Sequence, residues 1–188
     1  MKLFLLSDIH GSYSDCTSAL DKFEKSSADY LVILGDILYH GPRNPLPKDY
    51  APDLVFENLN KYTDKIIAVR GNCDAEVDQM VLHFNISNDY DFLALKDRLV
   101  YLSHGHIYSP ENLPPGFNSD DVFAFGHIHL PIAEKVNDYY LANPGSCSMP
   151  KDGYPKSYGI IDDHGIYIFD FTDKLIKSIE FQDRRFSH

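Results

Sequence analysis

The sequence predicts one α/β domain spanning residues 1–188, built from two sheets packed face to face with helices outside. Three observations carry that prediction. Up to about residue 82, short continuously apolar runs alternate with helix-periodic stretches, as in βαβ units. Beyond it, apolar stretches of strand length are joined by short polar turns. Residues able to ligate metals close strand-like runs on both sides of that point, which favours one domain over two. With 188 residues and 44% apolar composition, the chain can bury a full core in this form.

Lys2-Leu3-Phe4-Leu5-Leu6-Ser7 reads as a buried strand ending on Asp8-Ile9-His10, with Gly11 turning the backbone away. Side chains two apart on an extended segment point the same way, so Asp8 and His10 leave this strand end together. Ser14 is placed to cap a helix whose apolar positions, Cys16, Ala19, Leu20 and Phe23, share one face. Cys16 is therefore a packing residue. Tyr30-Leu31-Val32-Ile33-Leu34 forms a fully buried parallel strand that stops at Gly35-Asp36. Four prolines between residues 39 and 52 exclude a regular element there. The loop they form overhangs the strand end carrying Asp36, which places His40 and Arg43 for substrate contact. The alternative for it is an ordinary rigid surface loop.

A second helix is expected from about Asp53, burying Val55, Leu59 and Tyr62, and a strand over 65–69 runs into Arg70-Gly71-Asn72-Cys73-Asp74. Asp74 suits either the cap of a short helix through Val77 and Met80 or a role orienting the Asn72–Cys73 turn. The cap is the reading adopted. Further strands are expected over 92–95, 99–103, 122–125, 139–142, 158–161 and 166–171, some of them antiparallel. Asp163-His164-Gly165 is a hairpin turn signal, and Pro114-Pro115-Gly116 is a loop.

The chain is acidic, with 17 Lys+Arg against 28 Asp+Glu and a net charge of −11. That argues against stable, sequence-independent binding of nucleic acid, which needs a basic footprint. It leaves a phosphate substrate open, because bound divalent cations reverse the local sign. Cys16, Cys73 and Cys147 have no Cys-x-x-Cys spacing, so neither a disulfide framework nor a structural zinc site is expected. No apolar run approaches membrane-spanning length, and a first strand at Lys2 leaves no room for a signal peptide. The expectation is a soluble, cytoplasmic protein with no membrane partner.

The strand ends carry the chemistry. Asp8-x-His10, Gly35-Asp36, Gly71-Asn72, His104-Gly-His106 and Gly126-His127-x-His129 each close a strand-like run on Asp, Asn or His. Taken singly, each has a plain structural explanation as a turn or a core histidine; their joint recurrence points to one metal site at a sheet edge. Asp8, His10, Asp36, Asn72, His104, His127 and His129 are all oxygen or nitrogen ligands, which suit Mn²⁺, Fe²⁺, Zn²⁺ or Ni²⁺. Seven ligands exceed the needs of one ion, so two divalent ions sharing a carboxylate is the economical arrangement. Two such ions clamp an in-line phosphoryl displacement and supply hydroxide at neutral pH.

In this order and across essentially the whole chain, these motifs resemble the calcineurin-like metallophosphoesterases. Gly71-Asn72-Cys73-Asp74, Asn143-Pro-Gly-Ser146 and the Leu34–Pro47 stretch look like the small bacterial phosphodiesterases of the YfcE type. The resemblance implies a four-layer α/β/β/α sandwich of two stacked mixed sheets flanked by helices. It implies that Asp8, His10 and His129 hold one metal, that Asn72, His104 and His127 hold the other, and that Asp36 bridges them. Mn²⁺ is the implied activating ion, and the implied reaction is hydrolysis of a small phosphodiester by a metal-bridging hydroxide. His106 then orients substrate or a ligand, or serves structure only.

Many members of the family carry His at the position of Cys73, where it stabilises the transition state or protonates the leaving group. A thiol is a poor acid at pH 7, so the change fits diesters with good leaving groups. A nucleophilic Cys73 is the alternative. Asp36, Asn72, Cys73 and His104 are thus the candidate catalytic residues, and His40, Arg43 and His106 the candidate substrate contacts. The resemblance also leaves open a phosphomonoesterase or nucleotidase, a partner-binding scaffold of the retromer-subunit type, and a homo-oligomer.

Overall fold

A computed structural model describes residues 1–183 as two stacked mixed sheets. The first strand, β1 (Leu3–Leu6), leads through α1 (Tyr13–Ser26) to β2 (Tyr30–Ile33), and α2 (Pro52–Leu59) leads to β3 (Ile66–Ala68). Then follow β4 (Tyr90–Leu95), β5 (Arg98–Ser103), β6 (Val122–Ala124), β7 (Pro131–Val136) and β8 (Tyr139–Pro144). The last three strands are β9 (Ser157–Ile161), β10 (Gly165–Asp170) and β11 (Leu175–Glu180). One sheet has the order β11-β10-β9-β1-β2-β3, the other β4-β5-β6-β8-β7. The pairs β1–β2 and β2–β3 are parallel, as two βαβ crossovers require.

β1 shows why the sheets stack. Every residue in it is buried, and alternate side chains serve two cores. Leu3 and Leu5 face the second sheet with Val32 and Leu34, meeting Val100, Leu102, Val122 and Ala142. Phe4 and Leu6 face the helices, meeting Cys16, Leu20 and Phe23 of α1 and Val55 and Leu59 of α2. The outer face of the second sheet buries Tyr101, Phe123, Phe125 and Leu141 under Tyr108, Leu113 and Phe117. Among the described residues that outer cover is loop, whereas the first sheet has true helices above it.

Some local expectations need correction. The helix predicted from Ser14 begins at Tyr13, with Ser12 as the flanking residue. The carboxylate of Asp49, from the proline-rich loop, accepts the Ser14 N–H and supplies the cap from outside the helix. α2 starts one residue early, at Pro52, whose missing N–H costs nothing in a first turn. The short helix after Asp74 is a 3₁₀ turn, Glu76–Met80, with Val77 and Met80 exposed. Asp74 does not cap it; Ala75 flanks its start and Asp78 closes back on the Ala75 N–H at 2.8 Å. Two strands, β7 and β11, were not anticipated. Both are sheet edges, and their charged and half-exposed residues blur the apolar signature of a strand.

Candidate metal centre

The loops leaving β1, β2, β3, β5 and β6 carry the candidate ligands and bring them together at one rim. Five of those ligands lie at positive φ: Asp8 (56°), His10 (50°), Asp36 (55°), His127 (66°) and His129 (63°). Non-glycine residues in this region cost about 1–3 kcal/mol each, and they persist where the surroundings over-determine them. Glycines beside them make room. A side chain at Gly71 would collide with the Asp36 carboxylate, and one at Gly126 with the Ser7 hydroxyl. The Gly in Gly-Asn and Gly-His is therefore a steric requirement of the site.

Three imidazoles are locked in one tautomer. His10 Nδ1 donates to the Tyr39 carbonyl at 2.8 Å, His104 Nδ1 to Leu34 at 2.6 Å, and His129 Nδ1 to Met149 at 2.6 Å. A nitrogen that bonds a carbonyl carries the proton, so in each neutral ring Nε2 presents its lone pair. Those lone pairs face oxygen. His129 Nε2 lies 3.2 Å from Asp8 Oδ1, His10 Nε2 3.7 Å from Asp8 Oδ1 and Asp36 Oδ2, and His104 Nε2 3.4 Å from Asp36 Oδ2. His104 Nε2 is also 3.1 Å from Asn72 Oδ1. Buried acceptors aimed at acceptors are repulsive unless a cation or a proton lies between them.

Each carboxylate divides its oxygens in the same sense. Asp8 Oδ2 accepts from Ser7 Oγ at 2.7 Å and from the His127 N–H at 3.1 Å, while Asp8 Oδ1 has no hydrogen-bond partner. Asp36 Oδ1 accepts the Cys73 N–H at 2.8 Å, leaving Oδ2 to the two histidines. Buried His10 Nε2 is likewise without a hydrogen-bond partner. Such orphaned atoms are costly in a native interior and are the expected signature of an ion site. The donor set therefore fits divalent cations. The electrostatics agree. Burial works against protonating His104, yet the Asp36 and Asp8 carboxylates lift it to about 9. For Asp8, burial is outweighed by His10 and His129, which hold its pKa well below the carboxylate range.

The ligand atoms of Asp8, His10 and His129 lie within 4.8 Å of one another, as do those of Asp8, Asp36 and His104. His127 stands at the border, its ring centroid 5.0 Å from that of His104. Burial and the nearby His104 lower its pKa. Cys73 is close enough to join His10 and Asp36 within the same 4.8 Å. Burial and the Asp36 carboxylate push its thiol up to about 12, so it is not a thiolate at neutral pH.

An open cleft of about 400 Å³ fronts the cluster, lined by Asp36, Asn72, Cys73, His127 and His129. Arg43 lines it too, together with Asn44 and Lys151. His40 packs between Tyr39 and Tyr50, at centroid distances of 4.8 and 5.3 Å, and is not part of the lining. His106 sits beside His104, 5.4 Å between centroids, and its buried Nδ1 has no hydrogen-bond partner.

Of the supporting residues, Asp74 fits the alternative role of holding the turn and not the cap, and the contacts of Ser146, Ser148 and Asn143 were not read from the sequence. Asp74 accepts the N–H groups of Asp36 (2.8 Å), Ile37 (2.8 Å) and Gly71 (2.7 Å), stapling the ends of β2 and β3 together. Ser146 and Ser148 both donate to the Asp8 carbonyl, and Asn143 Nδ2 donates to the Gly126 carbonyl. The Asn143-Pro-Gly-Ser146 turn thus ties the Asp8 loop to the His127 loop. Its signal was in the sequence, as a small polar cluster after a strand; the partners were not.

A match to the model of the calcineurin-like phosphoesterase superfamily domain covers residues 1–164. The chain belongs to this superfamily. Phosphodiesterase YfcE of Escherichia coli K12 is a 49% identical relative over 176 residues, 94% of this chain and 95% of the relative. The solved structure of the E. coli YfcE phosphoesterase superposes with a TM-score of 0.94 at 47% identity, covering 97% of this chain and all of that one. Phosphodiesterase MJ0936 of Methanocaldococcus jannaschii is 27% identical over 168 residues, covering 86% and 93% of the two chains. For a calcineurin-like phosphoesterase, divalent metal ions are an integral part of the site. Among the described residues no helix is long and apolar enough to cross a membrane.

Proposed function

We propose that this chain is a metal-dependent phosphodiesterase acting through a dinuclear centre. The observation that carries the reading is the convergence of three tautomer-locked histidine lone pairs on the free oxygens of Asp8 and Asp36. Asp8, His10 and His129 would hold one divalent ion, Asn72, His104 and His127 the other, with Asp36 shared. The oxygen and nitrogen donors suit Mn²⁺, Fe²⁺, Zn²⁺ or Ni²⁺ alike, and Mn²⁺ is favoured among them on the family resemblance alone. Two such ions, when bound, supply an attacking hydroxide at neutral pH and neutralise charge developing on the phosphoryl oxygens.

The remaining work falls to the chain itself. The carbonyls of Leu34, Tyr39 and Met149 fix the imidazole rings, so the ligands do not reorganise during turnover. Arg43 and Lys151 give the cleft two cations in an otherwise acidic protein, which draw in and orient an anionic diester. Cys73 contributes its backbone N–H to Asp36, and its thiol stays protonated, which argues against a nucleophilic role. Without an imidazole there to protonate the leaving alcohol, diesters with good leaving groups are favoured. The match to a named phosphodiesterase at 49% identity supports a diester over a monoester.

Calorimetric titration of metal-stripped protein with Mn²⁺ tests the centre without relying on turnover. The expected result is two ions per chain, with one lost or greatly weakened in His129→Ala. Failure to bind any divalent ion would refute it.

A further inference from the structure

Beside the catalytic cleft, and separated from it by Cys73, runs a second groove of about 490 Å³. Its walls are apolar. The rings of Tyr39, Tyr50 and Phe56 line it, with Val77 and Val81 opposite. Val77 is 62% exposed and Tyr39 42% exposed, so the groove is open to solvent at a size typical of small-molecule sites, about 300–1,000 Å³. The only charged residues lining it are Asp53 and Asp78, which disfavour an anionic occupant.

Its walls are rigidly coupled to the metal centre. Residues 38–39 follow directly from Asp36 and Ile37, and residues 73–81 follow from Gly71; Asp74 accepts the backbone N–H groups of Asp36, Ile37 and Gly71, joining the two segments at their roots. The Tyr39 carbonyl also holds His10. Polar cleft and apolar groove thus form one amphiphilic surface: phosphate-binding cations and ligands on one side of Cys73, aromatic walls on the other. Resting on the phosphodiesterase reading above, we propose that this groove seats a neutral aromatic ring carried by one of the two alcohols of the diester. Rings against rings gain offset and edge-to-face contacts beyond simple area burial, which a chain of methylenes does not. Phe56 and Val77 are then specificity residues, acting on affinity and not on the bond broken.

The test is calorimetric binding of benzylphosphonate, hexylphosphonate and methylphosphonate to the full chain loaded with Mn²⁺. The three share one head group and differ only in the tail. Benzylphosphonate is expected to bind about tenfold tighter than methylphosphonate and tighter than hexylphosphonate. Phe56→Ala and Val77→Asn should each remove severalfold of that advantage while leaving methylphosphonate binding unchanged; Val77 sits on an exposed lip, so its variant folds normally. In turnover, both variants should raise the KM for bis(p-nitrophenyl) phosphate severalfold with kcat within about twofold.

Equal binding of benzyl and methyl tails, a preference for the hexyl tail, or losses that strike methylphosphonate equally would overturn the proposal. So would variants that turn a dimer into a monomer with benzylphosphonate binding intact, because the groove would then belong to a second copy. Failure of the underlying phosphodiesterase reading is separate and visible: the unmodified chain would bind phosphonates but cleave no diester.

Discussion

Asp74→Asn is the substitution that most sharply tests how the site is built. In the native protein Asp74 Oδ2 accepts two N–H groups, from Asp36 and Gly71, and Oδ1 accepts a third, from Ile37. Burial together with the Asp36 charge raises its pKa against the pull of these three donors. An amide of the same shape keeps one oxygen. Placed where two donors meet, it leaves its own NH₂ against the Ile37 N–H. Orphaning one buried donor costs about 1–3 kcal/mol. The charge assistance lost at the other two donors is offset by relief of the desolvation and Asp36 repulsion that the buried carboxylate bears. The net cost is therefore about 1–3 kcal/mol, a sizeable share of the roughly 5–15 kcal/mol that holds a typical domain folded. Asp36 sits at φ 55°, where Asp74 holds its N–H while the His10 N–H holds its carbonyl. Urea unfolding of the metal-free variant at neutral pH should therefore show a midpoint below that of the unmodified chain, with the slope unchanged. Mn²⁺ affinity should fall with it. A stability change below about 1 kcal/mol with full metal affinity would refute the stapling argument.

Other expectations follow from single contacts. Gly71→Ala places a methyl group against the Asp36 carboxylate; metal affinity measured by titration should drop more than tenfold. Cys73→Ser keeps the backbone N–H to Asp36, so bis(p-nitrophenyl) phosphate turnover should stay within a few-fold of native, and loss of all activity would restore the nucleophile reading. Asp173 is held below the ordinary carboxylate range by Lys22 at 2.6 Å and the Tyr158 hydroxyl at 2.9 Å. Its folded pKa lies below the unfolded one, so the stabilisation is complete above about pH 4 and disappears as pH falls through the folded value. The site is exposed, which caps the effect below about 1 kcal/mol. Acid unfolding of Asp173→Asn should therefore converge with the native curve at low pH; a constant offset would contradict the linkage.

What the sequence revealed, and what it hid, has a physical pattern. β1, β2 and β3 were legible because strands buried on both faces are continuously apolar, and α1 because Cys16, Ala19, Leu20 and Phe23 repeat at helical spacing. β7 and β11 were hidden because edge strands carry charge, as Glu134, Lys135 and Lys177 do. The ligand residues stood out through recurrence at strand ends. Their supports did not, because a hydrogen bond that Asp74 accepts from Ile37, 37 residues away, leaves no local mark. The same holds for Lys151, which enters the cleft only because the turn after β8 folds back over His129. Ser14 misled for a related reason: the helix is capped by Asp49, a residue distant in sequence.

The central claim is tested most directly by hydrolysis of bis(p-nitrophenyl) phosphate beside p-nitrophenyl phosphate, using metal-stripped protein with Mn²⁺, Mg²⁺, Zn²⁺ or Ni²⁺ restored and Asp36→Ala in parallel. The account predicts diester cleavage that requires added metal, is strongest with Mn²⁺, exceeds monoester cleavage, and is lost in Asp36→Ala. Cleavage of the monoester alone, or diester cleavage that survives Asp36→Ala, would contradict it.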